Sequence, residues 1–303
     1  MDQNIKEILK QVRLIDIRTR RLATDALAGQ FHSMFRGRGM DFEEVREYVP
    51  GDEVRTIDWN VTAREGRLFV KKYREERELT IVLAVDVSAS GDFGSRGRTK
   101  REVEAEIASV LALSAVRNND KVGLVLFSDQ IETFVPPRKG RQHVLRIVRE
   151  VLSCQPKRRG TDVAHALDFV NAVTRRRAMV CVLSDFQSSG DPAVALATLR
   201  RSLRMLRRRH DLVALHVKDP RERDLLAVGL LTVEDAETGE MIEIDTGSAR
   251  VRDRFAARAR EHDERLERAL RAESVDGVEI DSSLPYLPVL IALFRSRRRG
   301  RRS

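Results

Sequence analysis

Aromatic side chains are scarce in this 303-residue chain: eleven Phe, three Tyr and one Trp, 5% of the total. That is a thin supply for stacking bases along a single-stranded nucleic acid, which weakens one obvious reading of the net charge of +9. Cysteine is scarcer still. Cys154 and Cys181 stand too far apart for a metal knuckle, and Cys181 lies in an apolar run where a thiol behaves as a small hydrophobe. Long apolar runs are missing too: Tyr286–Phe294 is about half of the ~20 residues that a membrane-spanning helix needs, and Pro288 interrupts it. The opening MDQNIKEILKQ carries an acid and no apolar signal core, so a cytoplasmic protein is expected. The six histidines show no H-E-x-x-H pairing. No G-x-x-x-x-G-K-[ST] loop follows Gly91, Gly94 and Gly97, so ATP hydrolysis by this chain is not expected and that loop reads as flexible.

What is present is enough hydrophobic residue, 42%, for one large α/β domain with an extension or for two ordinary domains. Four short apolar runs lack polar alternation, as strands buried on both faces do: LTIVLAV from Leu79, VGLVLF from Val122, AMVCVL from Ala178 and LVALHV from Leu212. Segments with helical spacing separate them, such as Val103, Ile107, Val110 and Leu111, or Leu196, Leu199, Leu203 and Leu206. The alternation predicts an α/β fold with a doubly wound, mostly parallel sheet, helices on both faces, and ligands bound beyond the carboxyl ends of the strands. Residues 1–78 read as a helical arm (Ile5, Ile8, Leu9, Val12) followed by a small β-containing extension. Residues 79–294 form the main domain, with two further strands turning at Thr238 and Gly239 and a charged helix over about Ala249–Ala272. Residues 295–303, RSRRRGRRS, are expected to be a disordered tail; their six arginines leave only +3 for residues 1–294. The runs Lys157–Arg159, Arg175–Arg177 and Arg207–Arg209 read mainly as solvated ends favoured by the helix dipole, and no specific nucleic-acid partner is expected.

The chemistry concentrates at two strand ends. The first run closes in Asp86-Val87-Ser88-Ala89-Ser90 and the third in Ser184-Asp185, which become neighbours where the winding reverses. Thr161, in Gly160-Thr161-Asp162 ahead of an apolar-periodic helix, can reach the same crevice. Every group is an oxygen, which suits a hard cation: Mg²⁺ takes about six oxygens, keeps water, and uses few protein ligands.

The D-x-S-x-S run, the later Thr and the strand-end Asp resemble the metal-ion-dependent adhesion site of von Willebrand factor A domains, at Asp86, Ser88, Ser90, Thr161 and Asp185. Upstream, Arg46, Tyr48, Gly51, Asp52, Arg55, Ile57, Asp58 and Trp59, with Ala63-Arg64, Tyr73-Arg74-Glu75-Glu76 and the approach Gly37-x-Gly39-x-x-Phe42, resemble the motif of the bacterial family called "domain of unknown function 58". The resemblance implies a von Willebrand A-like domain that binds Mg²⁺, or Mn²⁺ or Ca²⁺, at the five oxygens. It further implies a non-enzymatic adaptor that works with a MoxR-type AAA+ ATPase or with a protein offering an acidic side chain to the metal. Asp52, Arg55, Asp58 and Trp59 read as an ion-pair clasp between extension and main domain, with a partner-binding surface as the other reading. Two other functions compete: a metal-dependent hydrolase, for which Asp86 or Asp185 are the base candidates, and nucleic-acid binding through the basic tail.

Overall fold

A computed structural model describes residues 40–75, 79–95, 97–188, 190–235 and 239–300. The expected arm over Ile5 to Val12, together with Gly37, Gly39, Glu76, Thr238, Arg301 and Arg302, lies outside them.

The four apolar runs become β3 (Thr80–Asp86), β4 (Lys121–Phe127), β6 (Met179–Ser184) and β7 (Asp211–Lys218), each almost wholly buried. They join β5 (Ile131–Arg138) and β10 (Asp276–Asp281) in one six-stranded sheet of order β10-β7-β6-β3-β4-β5. All pairs are parallel except β4 with β5. Winding starts at β3, runs out to β5, and returns to the other side of β3 with β6, so the reversal falls between β3 and β6.

Alternate residues of β3 serve opposite faces, as the two-residue period of a strand requires. Ile81, Leu83 and Val85 pack against α2 (Lys100–Arg117), α3 (Arg141–Ser153) and α7 (Leu287–Gly300). Val82 and Ala84 pack against α4 (Val163–Val173), α5 (Pro192–Arg209) and α6 (Ala249–Ala272). Local chemistry starts these helices: Thr99 and Glu102 form a reciprocal capping box on α2, Asp162 caps α4, and Asp191 caps α5 ahead of Pro192. The β5 edge carries Pro136 and Pro137, and Gly123 of β4 leaves room for Pro137: a Cβ there would lie 2.9 Å from its ring.

The extension is a two-stranded antiparallel ribbon, β1 (Met40–Glu47) and β2 (Phe69–Glu75), with α1 (Trp59–Glu65) between. A second ribbon, β8 (Leu230–Glu234) with β9 (Met241–Asp245), occupies the region expected to hold two strands. Among the described residues no helix is long and apolar enough to cross a membrane. One expectation needs correction: the chain from 295 is helical as far as Gly300, because Arg297 is buried on Asp211 and Asp276 at 2.5 and 3.1 Å and so anchors the turn that carries it.

Candidate metal centre

Strand register brings Asp86 and Asp185 together. Val85 of β3 pairs with Leu183 of β6, so the next residue of each strand stands at the shared carboxyl edge, and the Ser184 hydroxyl donates to Asp86 Oδ2 at 2.6 Å. Asp86 Oδ1 accepts the Ser88 backbone N–H at 2.9 Å, which folds the D-x-S-x-S segment back over its own carboxylate. The Ser88 and Ser90 hydroxyls lie 3.0 Å apart. Arg101 Nη2 holds the segment from behind through the carbonyls of Val87 and Ser88 at 2.8 and 3.1 Å. The loop bearing Thr161 is docked onto it: Ala89 N–H donates to Arg159 O at 3.1 Å, and Asp162 N–H to Ser128 O at 2.9 Å. Thr161 is 4% exposed and its hydroxyl finds no hydrogen-bond partner. Buried polar atoms are ordinarily satisfied, so an orphan hydroxyl on a loop tied to the D-x-S-x-S segment fits a cation ligand. Among the described residues no group of three His, Cys, Asp or Glu is arranged to hold a metal. The fit is therefore with a donor set of two carboxylates and three hydroxyls.

Three charged residues absent from the sequence-derived site enclose it. Lys100, the first residue of α2, is 1% exposed; its Nζ lies 2.5 Å from Asp185 Oδ2 and also bonds Glu222. Glu104, one turn further along α2, is buried, and its Oε2 has no hydrogen-bond partner. Burial and the neighbouring Asp86 and Asp185 charges raise the Glu104 carboxyl well above its usual range. Burial, then the charge of Asp185, push Asp86 up to about 7. Burial acts on Asp185 in the same sense, but the Lys100 ammonium and the donors Gln187 N–H and Ser90 outweigh it and hold that carboxyl below normal. Burial opposes the Lys100 charge, and Asp185 and Glu222 reverse this, raising its pKa.

The glycine loop behind the site is tied down, contrary to the flexible reading. Ser95 donates through its N–H (2.8 Å) and its hydroxyl (2.6 Å) to Asp219, which also accepts from Ser282 at 3.2 Å. Gly94 lies against the next turn: a Cβ would fall 2.2 Å from Arg98 O and 2.7 Å from Thr99 Cα, both backbone atoms. Gly94→Ala is therefore expected to push the loop off α2 and lower the midpoint of thermal unfolding by several degrees, on the scale of overpacking. An unchanged midpoint would mean that the loop gives way freely. Asp129 lines the rim in an ion pair with Arg158 at 3.3 Å, and His165 is exposed on α4.

In the extension, Arg46 and Asp52 form a two-point pair at 2.8 and 2.7 Å, and Asp52 also accepts Val49 N–H. Asp58 caps α1 through Asn60 and Val61 N–H and pairs with Lys71 at 3.3 Å. Gly51 takes a φ of +111°, which suits glycine alone at that turn, and Tyr48 N–H bonds Leu68 O. These bonds correct the clasp reading: among the described residues they close the extension on itself and do not join it to the sheet. Arg55 and Trp59 face outward, Trp59 being 64% exposed, and Val54 is exposed as well.

Comparison with known proteins agrees with the upstream motif. The profile of the family described as "Protein of unknown function DUF58" matches residues 44–265. An uncharacterized protein of Mycobacterium tuberculosis (strain ATCC 25618 / H37Rv) is 31% identical over 291 residues, covering 95% of this chain and 89% of that one. Among solved structures, BatB from Bacteroides thetaiotaomicron is similar at 14% identity with a TM-score of 0.45, covering 73% of this chain and 99% of that one. The von Willebrand A (VWA) domain of SpRpn10 is similar at 14% identity with a TM-score of 0.39, covering 71% and 94%.

Proposed function

The chain belongs to the DUF58 family, and from that premise we propose that it is a non-enzymatic protein–protein interaction module whose contact depends on a divalent cation. Asp86, Ser88, Ser90, Thr161 and Asp185 are the residues that would hold the cation, Mg²⁺ first and Mn²⁺ or Ca²⁺ as substitutes. Bound there, it would supply a Lewis acid for one carboxylate oxygen of a partner's Asp or Glu. The observation that carries this reading is the buried, partnerless Thr161 hydroxyl, on a loop whose Arg159 carbonyl accepts the N–H of Ala89 between Ser88 and Ser90.

The chain's own residues do the positioning. Ser184 and the Ser88 N–H orient Asp86, Lys100 and Gln187 N–H orient Asp185, and Arg101 fixes the backbone between Asp86 and Ser90. A hydrolase needs a base free to take a proton from water. Asp86 and Asp185 already accept these bonds, and Glu104 is enclosed, which supports the non-enzymatic reading. By the family resemblance, the collaborator is a MoxR-type AAA+ ATPase in the cytoplasm, with assembly or activation of other proteins as the outcome.

The test is retention of that ATPase on the immobilised protein. Asp86→Ala and Ser88→Ala, with circular dichroism unchanged, are expected to reduce retention at least tenfold, and excess chelator should do the same to wild type. Retention that persists in chelator overturns the proposal.

A further inference from the structure

Two arginine triplets far apart in sequence meet at one end of the fold. β6 and β7 begin side by side, Met179 pairing with Asp211, so the turns before them, Arg175–Arg177 and Arg207–Arg209, are neighbours. Contacts tie them together: Arg209 donates to Asn171 O, Thr174 O and Arg175 O at the end of α4, and Arg207 Nε to Ser274 O before β10. Arg297 of α7 reaches the same end through Asp211 and Asp276, so Arg298 and Arg299 follow it there in sequence.

This end is the amino edge of the strands, opposite the edge that carries Asp86 and Asp185. Its carboxylates are already engaged: Asp211 and Asp276 by Arg297, Glu273 by Arg200 and Arg204, Glu267 by Arg271. Among the described residues none of the six arginines of the two triplets forms an ion pair, and all but the half-buried Arg207 are exposed. The helix dipole favours a cation in the last turn of a helix and fades beyond it, so it does not account for six. Val173 and Met205 stand exposed beside them, at 36% and 45%.

We infer that this arginine pole docks the protein on an anionic lipid bilayer. Guanidinium forks match phosphate oxygens two at a time, and isolated apolar side chains among basic ones enter the headgroup boundary. With cations at one edge of the sheet and carboxylates at the other, the molecule settles arginine side down, and the candidate metal centre faces away from the surface. Nucleic acid fits less well. Residues 171–178, 205–211 and 271–276 contain no Phe, Tyr or Trp to stack on bases, and the helices that end here present their C-termini.

The experiment is co-sedimentation of the full chain with phosphatidylglycerol-containing vesicles and with pure phosphatidylcholine vesicles. Binding is expected only to the first and should weaken with salt. The triple variant Arg175→Gln, Arg176→Gln, Arg208→Gln should bind on the order of a hundredfold more weakly, since each arginine near an anionic leaflet contributes about a fivefold factor. A control of equal charge, Arg250→Gln, Arg254→Gln, Arg258→Gln on the exposed side of α6, should bind as wild type does. Absence of binding, equal loss in the control, or tighter binding to duplex DNA through the same three arginines would each overturn the inference.

Discussion

Lys100→Met is expected to destabilise the fold by roughly 3–5 kcal/mol, the usual cost of removing one partner from a buried ion pair. The Lys100 side chain is 1% exposed and that of Asp185 3%, so water cannot take over the lost contact, whereas Glu222 at 24% has partial access. Burial already raises Glu222, and loss of the ammonium removes the main influence opposing that rise, which eases its protonation and limits the loss. Asp185 has no such easy route, because Asp86 beside it competes for the same proton. At about 2–4 °C per kcal/mol for a domain of this size, the unfolding midpoint should fall by roughly 10 °C in chelator. Glu222→Gln keeps the Lys100–Asp185 contact and should cost far less. The variant also carries one positive charge fewer beside the five oxygens, so added Mg²⁺ should raise its midpoint more than it raises that of wild type. A midpoint within a degree or two of wild type would show that Lys100 is dispensable.

Acid should separate wild type from His216→Leu. Burial, then the Lys218 charge, push the His216 imidazole down to about 3, against the smaller opposing influence of Asp263; its ring meets Phe186 and His262 edge-on. The folded-state value lies below the unfolded value of about 6.5, so the stability contributed by keeping this group neutral is present above pH 6.5 and drains away as pH falls toward 3. One proton corresponds to about 1.4 kcal/mol per pH unit, so wild type should lose roughly 2 kcal/mol relative to His216→Leu between pH 7 and pH 5. The comparison has to be a difference. Asp86 and Glu104 are shifted upward, and their contributions run the other way over the same range, lost as pH rises. Urea unfolding of both proteins at pH 7, 6 and 5 checks it, and a constant difference would rule His216 out as the acid-sensitive group.

The sheet was legible because a strand buried on both faces has to be apolar without interruption, and β3, β4, β6 and β7 are. β10 escaped that signal: its DGVEID buries only Ile280 fully, since an edge strand has a neighbour on one side alone. β5 escaped because a strand carrying Pro136 and Pro137 is tolerated only at a sheet edge and lacks the unbroken apolar run of the buried strands. Of the candidate site, the five oxygen-bearing residues declare themselves in a short motif and two strand or loop ends. Lys100, Glu104 and Glu222 do not. A Lys and a Glu one turn apart look like the wet face of an amphipathic helix, yet α2 is enclosed on nearly every side, a consequence of α3 and the sheet closing on it. That Lys100 meets Asp185 depends on β6 lying next to β3, a long-range fact that no local pattern contains.

The two prolines of β5 have a further consequence at the level of many molecules. An exposed strand edge is a template on which a second copy can add its own strand. Pro136 and Pro137 lack N–H groups, and since successive N–H groups of a strand point to opposite edges, one of the two is a donor that an added strand would need; at the far edge β10 interleaves the charged Asp276, Glu279 and Asp281 with its apolar residues, which an added strand would have to cover. The sheet is thus terminated at both ends, and concentrated protein should resist cross-β polymerisation through either edge.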